Sequence, residues 1–316
     1  MGRVAAVDCG TNSIRLLVAD VTVGEDGSRW LRDVHREMRV VRLGAGVDAT
    51  GVLSAEALER TRQALADYTN IMRRKGTERV RMVATSATRD ARNRDEFFDM
   101  TRAVLGVEAE VISGEEEARL SFTGAVADLG PEEGPFLVSD VGGGSTELVL
   151  GSWDGVRADV EAARSVDIGC VRLTERCLHD DPPSPAQVAE AVAVATDVLA
   201  EAFAAVPAAK ASTWIGVAGT VTTMVALAEG LPEYDSERIH LARLSVDRIR
   251  EVTERLLGMG HAERAALGPM HPGRVDVISG GAIVVRALAD HLTTHGITEL
   301  VASEHDILDG IAFALG

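Results

Sequence analysis

The sequence predicts an α/β protein built from two related domains, and three observations carry that prediction. Strand-like segments alternate with segments of helical period along the whole chain. The length of 316 residues suits two domains of ordinary size. A short pattern also recurs, 8-DCGTNSIRL-16 and 140-DVGGGSTEL-148, which aligns Asp8 with Asp140, Gly10 with Gly142, Ser13 with Ser145 and Leu16 with Leu148. Each copy follows a short apolar strand and leads into another, as expected of two domains facing each other across a cleft.

The elements follow in order. Strands are expected at 4–8, 14–20 and 39–43, where aliphatic residues are bounded by glycine and polar turns. A helix over 54–74 starts at Ser54, a side-chain N-cap. Next come a strand at 79–84, a helix at 95–105, a short strand at 109–112 and a helix opening at Ser113. The pattern restarts at Phe136 with a strand, a glycine turn and a second strand ending near Leu150. The stretch 180-DDPPSP-185 breaks the chain ahead of a long helix. A strand at 213–217, helices at 221–229, 246–259 and 275–291, a strand at 299–301 and a closing helix complete the chain.

Composition narrows the function. A hydrophobic fraction of 46% with 26% charged residues belongs to a soluble globular protein, and 3% aromatics leave aliphatic side chains and alanine to fill the cores. The net charge of −17 argues against nonspecific binding of nucleic acid or anionic membrane, since both need a cationic face. It would also repel a polyanionic substrate at long range, so a site for one needs local arginines and a bound cation. The apolar segment 191–209 is interrupted by Asp197 and Glu201 and reads as a core helix. Cys9, Cys170 and Cys177 form no CxxC pair, and the chain enters a strand at once without a leader, so a reducing, cytoplasmic setting is expected.

Five stretches offer chemistry. In 8-DCGTNS-13 the turn presents backbone N–H groups as an anion nest, Asn12 and Ser13 add donors, and Arg15 projects on the same strand face as Ser13. In 140-DVGGGSTE-147 three glycines suit close approach of backbone to a ligand, Ser145 and Thr146 carry hydroxyls, and Asp140 and Glu147 are hard carboxylates of the kind that holds Mg2+ beside phosphate. In 113-SGEEEARL-120, Ser113 and Glu116 form a capping box, while Glu117 is the candidate to orient and deprotonate a water. The stretch 85-TSATRDARN-93 places Arg89 and Arg92 after a strand, and either a ligand contact or a helix start explains them. The turn 216-GVAGTVTT-223 opens a helix whose first N–H groups could receive an anion or a nucleotide. Histidines such as His240, His271 and His305 lack ligand spacing and read as surface or core residues.

Taken together, DCGTNSIRL, ATSATRDARN, SGEEEARLSFTGA, DVGGGSTELVLG, GVAGTVTT and HPGRVDVISGGA resemble the exopolyphosphatase/guanosine pentaphosphate phosphohydrolase (Ppx/GppA) family, in the order expected of it. The resemblance implies the acetate and sugar kinase/Hsp70/actin superfold, two RNase H-like domains with an interdomain cleft. The N-terminal domain would span 1–124, joined by the closing helix 303–316, and the C-terminal domain 125–302. It implies release of the terminal phosphate of inorganic polyphosphate with Mg2+ or another divalent cation, and in some members hydrolysis of pppGpp to ppGpp. By position, Glu117 matches the catalytic base and Asp140 and Glu147 the acidic pair near the metal. Gly142, Gly143, Gly144, Ser145 and Thr146 fall on the phosphate loop, and Asn12, Ser13, Arg15 and Arg89 on further phosphate contacts. A homodimer is also implied, with no nucleic-acid or membrane partner. Two other functions stay open at this stage: a pppGpp 5'-phosphohydrolase, and a noncatalytic sensor of polyphosphate or alarmone.

Overall fold

The computed structural model describes residues 2–25 and 27–316. The chain divides into two units, one formed by Met1–Ala127, Asp154–Ala158 and Asp306–Gly316, the other by Asp128–Trp153 and Asp159–His305.

In the first unit, β1 (Gly2–Cys9) pairs antiparallel with β2 (Ser13–Val23), and β2 with β3 (Arg29–Val40). On its other side β1 runs parallel to β4 (Arg79–Ala84), which pairs with β5 (Glu110–Val111), giving the order β3-β2-β1-β4-β5. Strand alternation sends Ala5, Val7 and Cys9 to one face, where they meet Leu65, Tyr68 and Phe97 from helices Ala55–Lys75 and Arg94–Leu105. Val4 and Ala6 face the other way, against Ile307, Leu308 and Ile311 of the closing helix Ile307–Leu315. That helix crosses Gly114–Val126 at backbone contact. A Cβ on Gly124 would lie 1.9 Å from the Asp306 carbonyl oxygen, and one on Gly310 would lie 2.0 Å from that of Leu120, so both positions require glycine.

The second unit repeats the plan. Its strands are β6 (Phe136–Val141), β7 (Thr146–Trp153), β8 (Ala158–Val166), β9 (Thr213–Val217), β10 (Arg243–Ser245) and β11 (Glu299–Ala302), in the order β10-β11-β9-β6-β7-β8. Without β10, the sequence of strands β8-β7-β6-β9-β11 matches β3-β2-β1-β4-β5, with β6 antiparallel to β7 and parallel to β9. The core is mainly aliphatic, and within it the buried Trp214 donates its indole N–H to Ser139 Oγ at 2.8 Å.

Most expected elements lie where the sequence places them. Of the strand expected at 39–43 only the first two residues are strand, as the end of β3, which runs from Arg29, while β8 and the helix Cys170–Cys177 have no counterpart in the sequence reading. Both strands lie at sheet edges with one face to solvent, so their apolar residues are too sparse to mark them. Among the described residues no helix is long and apolar enough to cross a membrane.

Candidate functional site

The two recurring motifs form the same hairpin. Asp8 lies directly opposite Arg15 across β1 and β2, as Asp140 lies opposite Glu147 across β6 and β7. Each loop is closed by one bond, Gly10 N–H to Ser13 O at 3.0 Å and Gly142 N–H to Ser145 O at 3.1 Å.

The carbonyls of the second loop are turned toward the helix Cys170–Cys177. The amides of Cys170 and Val171 donate to Gly142 O and Gly143 O at 2.9 and 2.8 Å, and Arg172 Nε donates to Gly144 O at 2.7 Å. In a trans peptide the next N–H points opposite to the carbonyl, so the amides of Gly143, Gly144 and Ser145 face away from this helix as a nest of donors. Gly169 permits the fit, because a Cβ there would stand 2.6 Å from Gly142 O and Gly143 O. The first loop uses the same device with other partners. Val41 and Arg42 N–H donate to Asn12 O at 3.0 and 2.8 Å and Gly44 N–H to Thr11 O at 2.8 Å, which turns the amides of Asn12 and Ser13 the other way.

The charges differ. Arg15 donates from Nε and Nη2 to Asp8 Oδ2 at 3.0 and 2.7 Å, and from Nη1 to Asp306. Both carboxylates are buried. Arg15, expected as a phosphate contact, is thus paired with two acids, one from the far end of the chain. Burial pushes the Asp8 carboxyl up from its ordinary range, Arg15 pulls it down, and Asp306 adds to the rise.

In the second hairpin Asp140 and Glu147 stand side by side on one sheet face, 7% and 2% exposed. Ser165 Oγ donates to Glu147 Oε1 at 2.7 Å and fixes that carboxylate. Two buried, adjacent carboxylates are a hard-oxygen donor set that fits a divalent cation with further places for phosphate oxygens and water. Ser145, the loop residue just before β7, is buried as well. The Thr146 hydroxyl is fully buried and donates to Ile168 O at 2.6 Å.

Glu117 lies in the first turn of Gly114–Val126, whose N-cap Ser113 accepts from Glu116 N–H at 3.2 Å. Only half of the expected capping box forms, because the Glu116 carboxylate pairs with Arg81 at 2.7 Å. Glu115 and Glu116 are exposed while Glu117 is 8% exposed, so helical periodicity turns one glutamate of the three inward. Arg89, on a short helix Ser86–Asp90 after β4, donates from Nη1 to Glu117 Oε2 at 3.3 Å and to Ile112 O at 3.1 Å. Arg92 is exposed and donates to Thr50 O instead.

Two features escape the sequence reading. Arg274, within the HPGRVDVISGGA stretch, donates from Nη1 to Thr223 Oγ1 at 3.1 Å and lays its guanidinium on Gly219. The helix it contacts, Ala218–Ala228, begins at Ala218 with φ of 70°, a strained start for a residue with a side chain. The other feature is that His240 and His305, read as isolated, come together with Asp128.

A model described as the Ppx/GppA phosphatase family matches residues 17–313. A protein named Exopolyphosphatase 2 from Mycobacterium tuberculosis is 56% identical, with 99% of this chain and 98% of that one covered. Guanosine-5'-triphosphate,3'-diphosphate pyrophosphatase of Aeromonas salmonicida is 31% identical over 93% of this chain and 56% of its own length. A solved structure described as an exopolyphosphatase-like protein superposes with a TM-score of 0.92 at 46% identity, covering 99% of this chain and 98% of that one.

Proposed function

The chain belongs to the Ppx/GppA phosphatase family, and we propose that within it the chain is an exopolyphosphatase, releasing terminal phosphate from inorganic polyphosphate. The observation that carries this reading is the 56% identity, end to end, with a protein of that name.

On this reading the amides of Gly143, Gly144 and Ser145 donate to phosphate oxygens, and the amides of Asn12 and Ser13 offer the same kind of donors in their own loop. Arg15 holds Asp8 and Asp306 in place. Asp140 and Glu147 hold a divalent cation, Mg2+ in this proposal, which when bound neutralises charge on the phosphates. Arg89 aims the Glu117 carboxylate, and Glu117 accepts a proton from the attacking water. The water oxygen bonds to the terminal phosphorus, the bridging P–O bond breaks, and orthophosphate and the shortened chain leave. Catalysis is then mainly positioning and charge neutralisation. Such local donors are what a chain of net charge −17 needs to hold a polyanion. All three cysteines are free and buried, which suits the cytoplasmic setting proposed for it.

The relative from Aeromonas salmonicida supports a second reading, in which the same chemistry acts on pppGpp; the lower identity of 31% places it second. Phosphate release from polyphosphate and from pppGpp, each with Mg2+ and with EDTA, tests both. Fast release from polyphosphate that EDTA abolishes is expected. Turnover of pppGpp with none of polyphosphate would replace the first reading by the second.

A further inference from the structure

Asp128, His240 and His305 converge in the second unit, although no sequence spacing joins them. His305 Nδ1 lies 2.5 Å from Asp128 Oδ2, and His240 Nε2 lies 3.4 Å from the same oxygen. The two imidazole rings stand 4.7 Å apart with a tilt of 44°. One ligand atom from each residue lies within 4.8 Å of the others, the only group of its kind among the described residues. We propose that Asp128, His240 and His305 bind one transition-metal dication of the Zn2+ class, at a site distinct from the Asp140–Glu147 pair.

The donor set selects the ion. Two imidazoles and a carboxylate suit Zn2+ and its neighbours, whereas Mg2+ prefers oxygen alone. A tetrahedral ion with bonds of about 2.0–2.1 Å separates its ligand atoms by roughly 3.4 Å. The His240–Asp128 separation already has that value, and the His305–Asp128 contact must open by about 1 Å to reach it. A torsion of the Asp128 side chain, 42% exposed, supplies the movement. The two imidazoles hold the Asp128 carboxyl well below the usual carboxylate range, so it is charged and ready to ligate. His240 Nδ1 accepts the Glu304 N–H at 3.3 Å, which puts the ring proton on Nε2 in the metal-free protein. For Nε2 to ligate, that proton moves to Nδ1 and the Glu304 N–H contact is released as the ion binds. The fourth position opens to solvent, because all three side chains are partly exposed.

The site has a structural consequence inside its unit. Asp128 and His305 are the first and last residues of the second unit, so an ion on both ties its ends together. Closing so long a loop in the unfolded chain costs entropy, and bound metal should raise the unfolding temperature.

The test titrates chelator-treated protein with Co2+ in excess Mg2+, which fills oxygen-only sites. The expected result is one Co2+ per chain with the visible absorption of nitrogen-ligated, low-coordinate cobalt, displaced by Zn2+, and a raised melting temperature. His240→Asn and His305→Asn should each weaken the affinity by about 10–100-fold or more and abolish the thermal shift, while Asp140→Asn keeps both signals. The metal-free melting temperature of each variant shows whether it folds. A spectrum of aqueous Co2+ alone in the wild-type protein overturns the proposal whatever the variants do, as does absorption that survives loss of either histidine. Neither readout depends on phosphate hydrolysis.

Discussion

Arg15 and Glu147 hold the same register position in two copies of one hairpin, Arg15 across the ladder from Asp8 and Glu147 across from Asp140. One residue change thus converts a site that matches a buried acid with a cation into one that doubles the acid. In the first copy Arg15 pairs with Asp8 across the ladder and with Asp306 from the closing segment. The second places two buried carboxylates side by side, the donor set proposed above to hold the divalent cation.

Removing Arg15 should be costly to the fold. Arg15→Met leaves Asp8 and Asp306 buried without their partner, which should destabilise the first unit by about 3–5 kcal/mol. Denaturant unfolding measures this, and adding Asp306→Asn to Arg15→Met should recover part of the loss.

Arg89 should act through Glu117. Arg89→Met frees the Glu117 carboxylate from its contact at 3.3 Å, and a misplaced base should lower kcat by up to about 100-fold with a smaller effect on KM. Arg89→Lys should restore little, since the shorter lysine side chain leaves its nitrogen short of the Nη1 position that contacts both Glu117 and Ile112 O. Steady-state kinetics on polyphosphate separates the two parameters.

Ser165 carries a prediction that the motifs do not suggest. Its hydroxyl orients Glu147, so Ser165→Ala should weaken divalent-cation affinity by roughly 10-fold, and Asp140→Asn by more. Calorimetric titration with Mg2+, and the Mg2+ concentration giving half-maximal activity, should shift together.

Asp20 sets an acid limit on stability. It lies across the ladder from Arg3 on one side and Arg32 on the other. Hydrogen bonds from Arg3 at 2.8 Å and Arg32 at 2.5 Å hold its carboxyl down at about 2. A depressed folded-state pKa stabilises above the unfolded value of about 3.9, and the contribution is lost as pH falls toward 2. Wild type should therefore exceed Asp20→Asn in stability at pH 7, and the gap should close between pH 4 and pH 2, as read by denaturant midpoints.

Legibility followed locality. The hairpins around Asp8 and Asp140 could be read because each is a short contiguous stretch with its own glycines, and Glu117 because a cap and a helical period fix its direction. The strands β3 and β8 could not, since edge strands with one wet face dilute the apolar alternation that marks a buried strand. The partners of Arg15 were hidden for a different reason: Asp306 comes from the far end of the chain, and only the folded first unit brings it to β2. Thr146 matched a phosphate loop by letter, but the start of β7 turns its hydroxyl onto Ile168. Asp128, His240 and His305 belong to three distant segments, so no spacing rule reaches them.

The central claim is that Glu117 is the base in phosphate release from polyphosphate. Its most direct test is the initial rate of orthophosphate release by purified Glu117→Gln, in saturating Mg2+ and polyphosphate, against wild type. A fall of about 10²–10⁴ with the fold and polyphosphate binding retained is expected. Release at the wild-type rate would contradict the assignment.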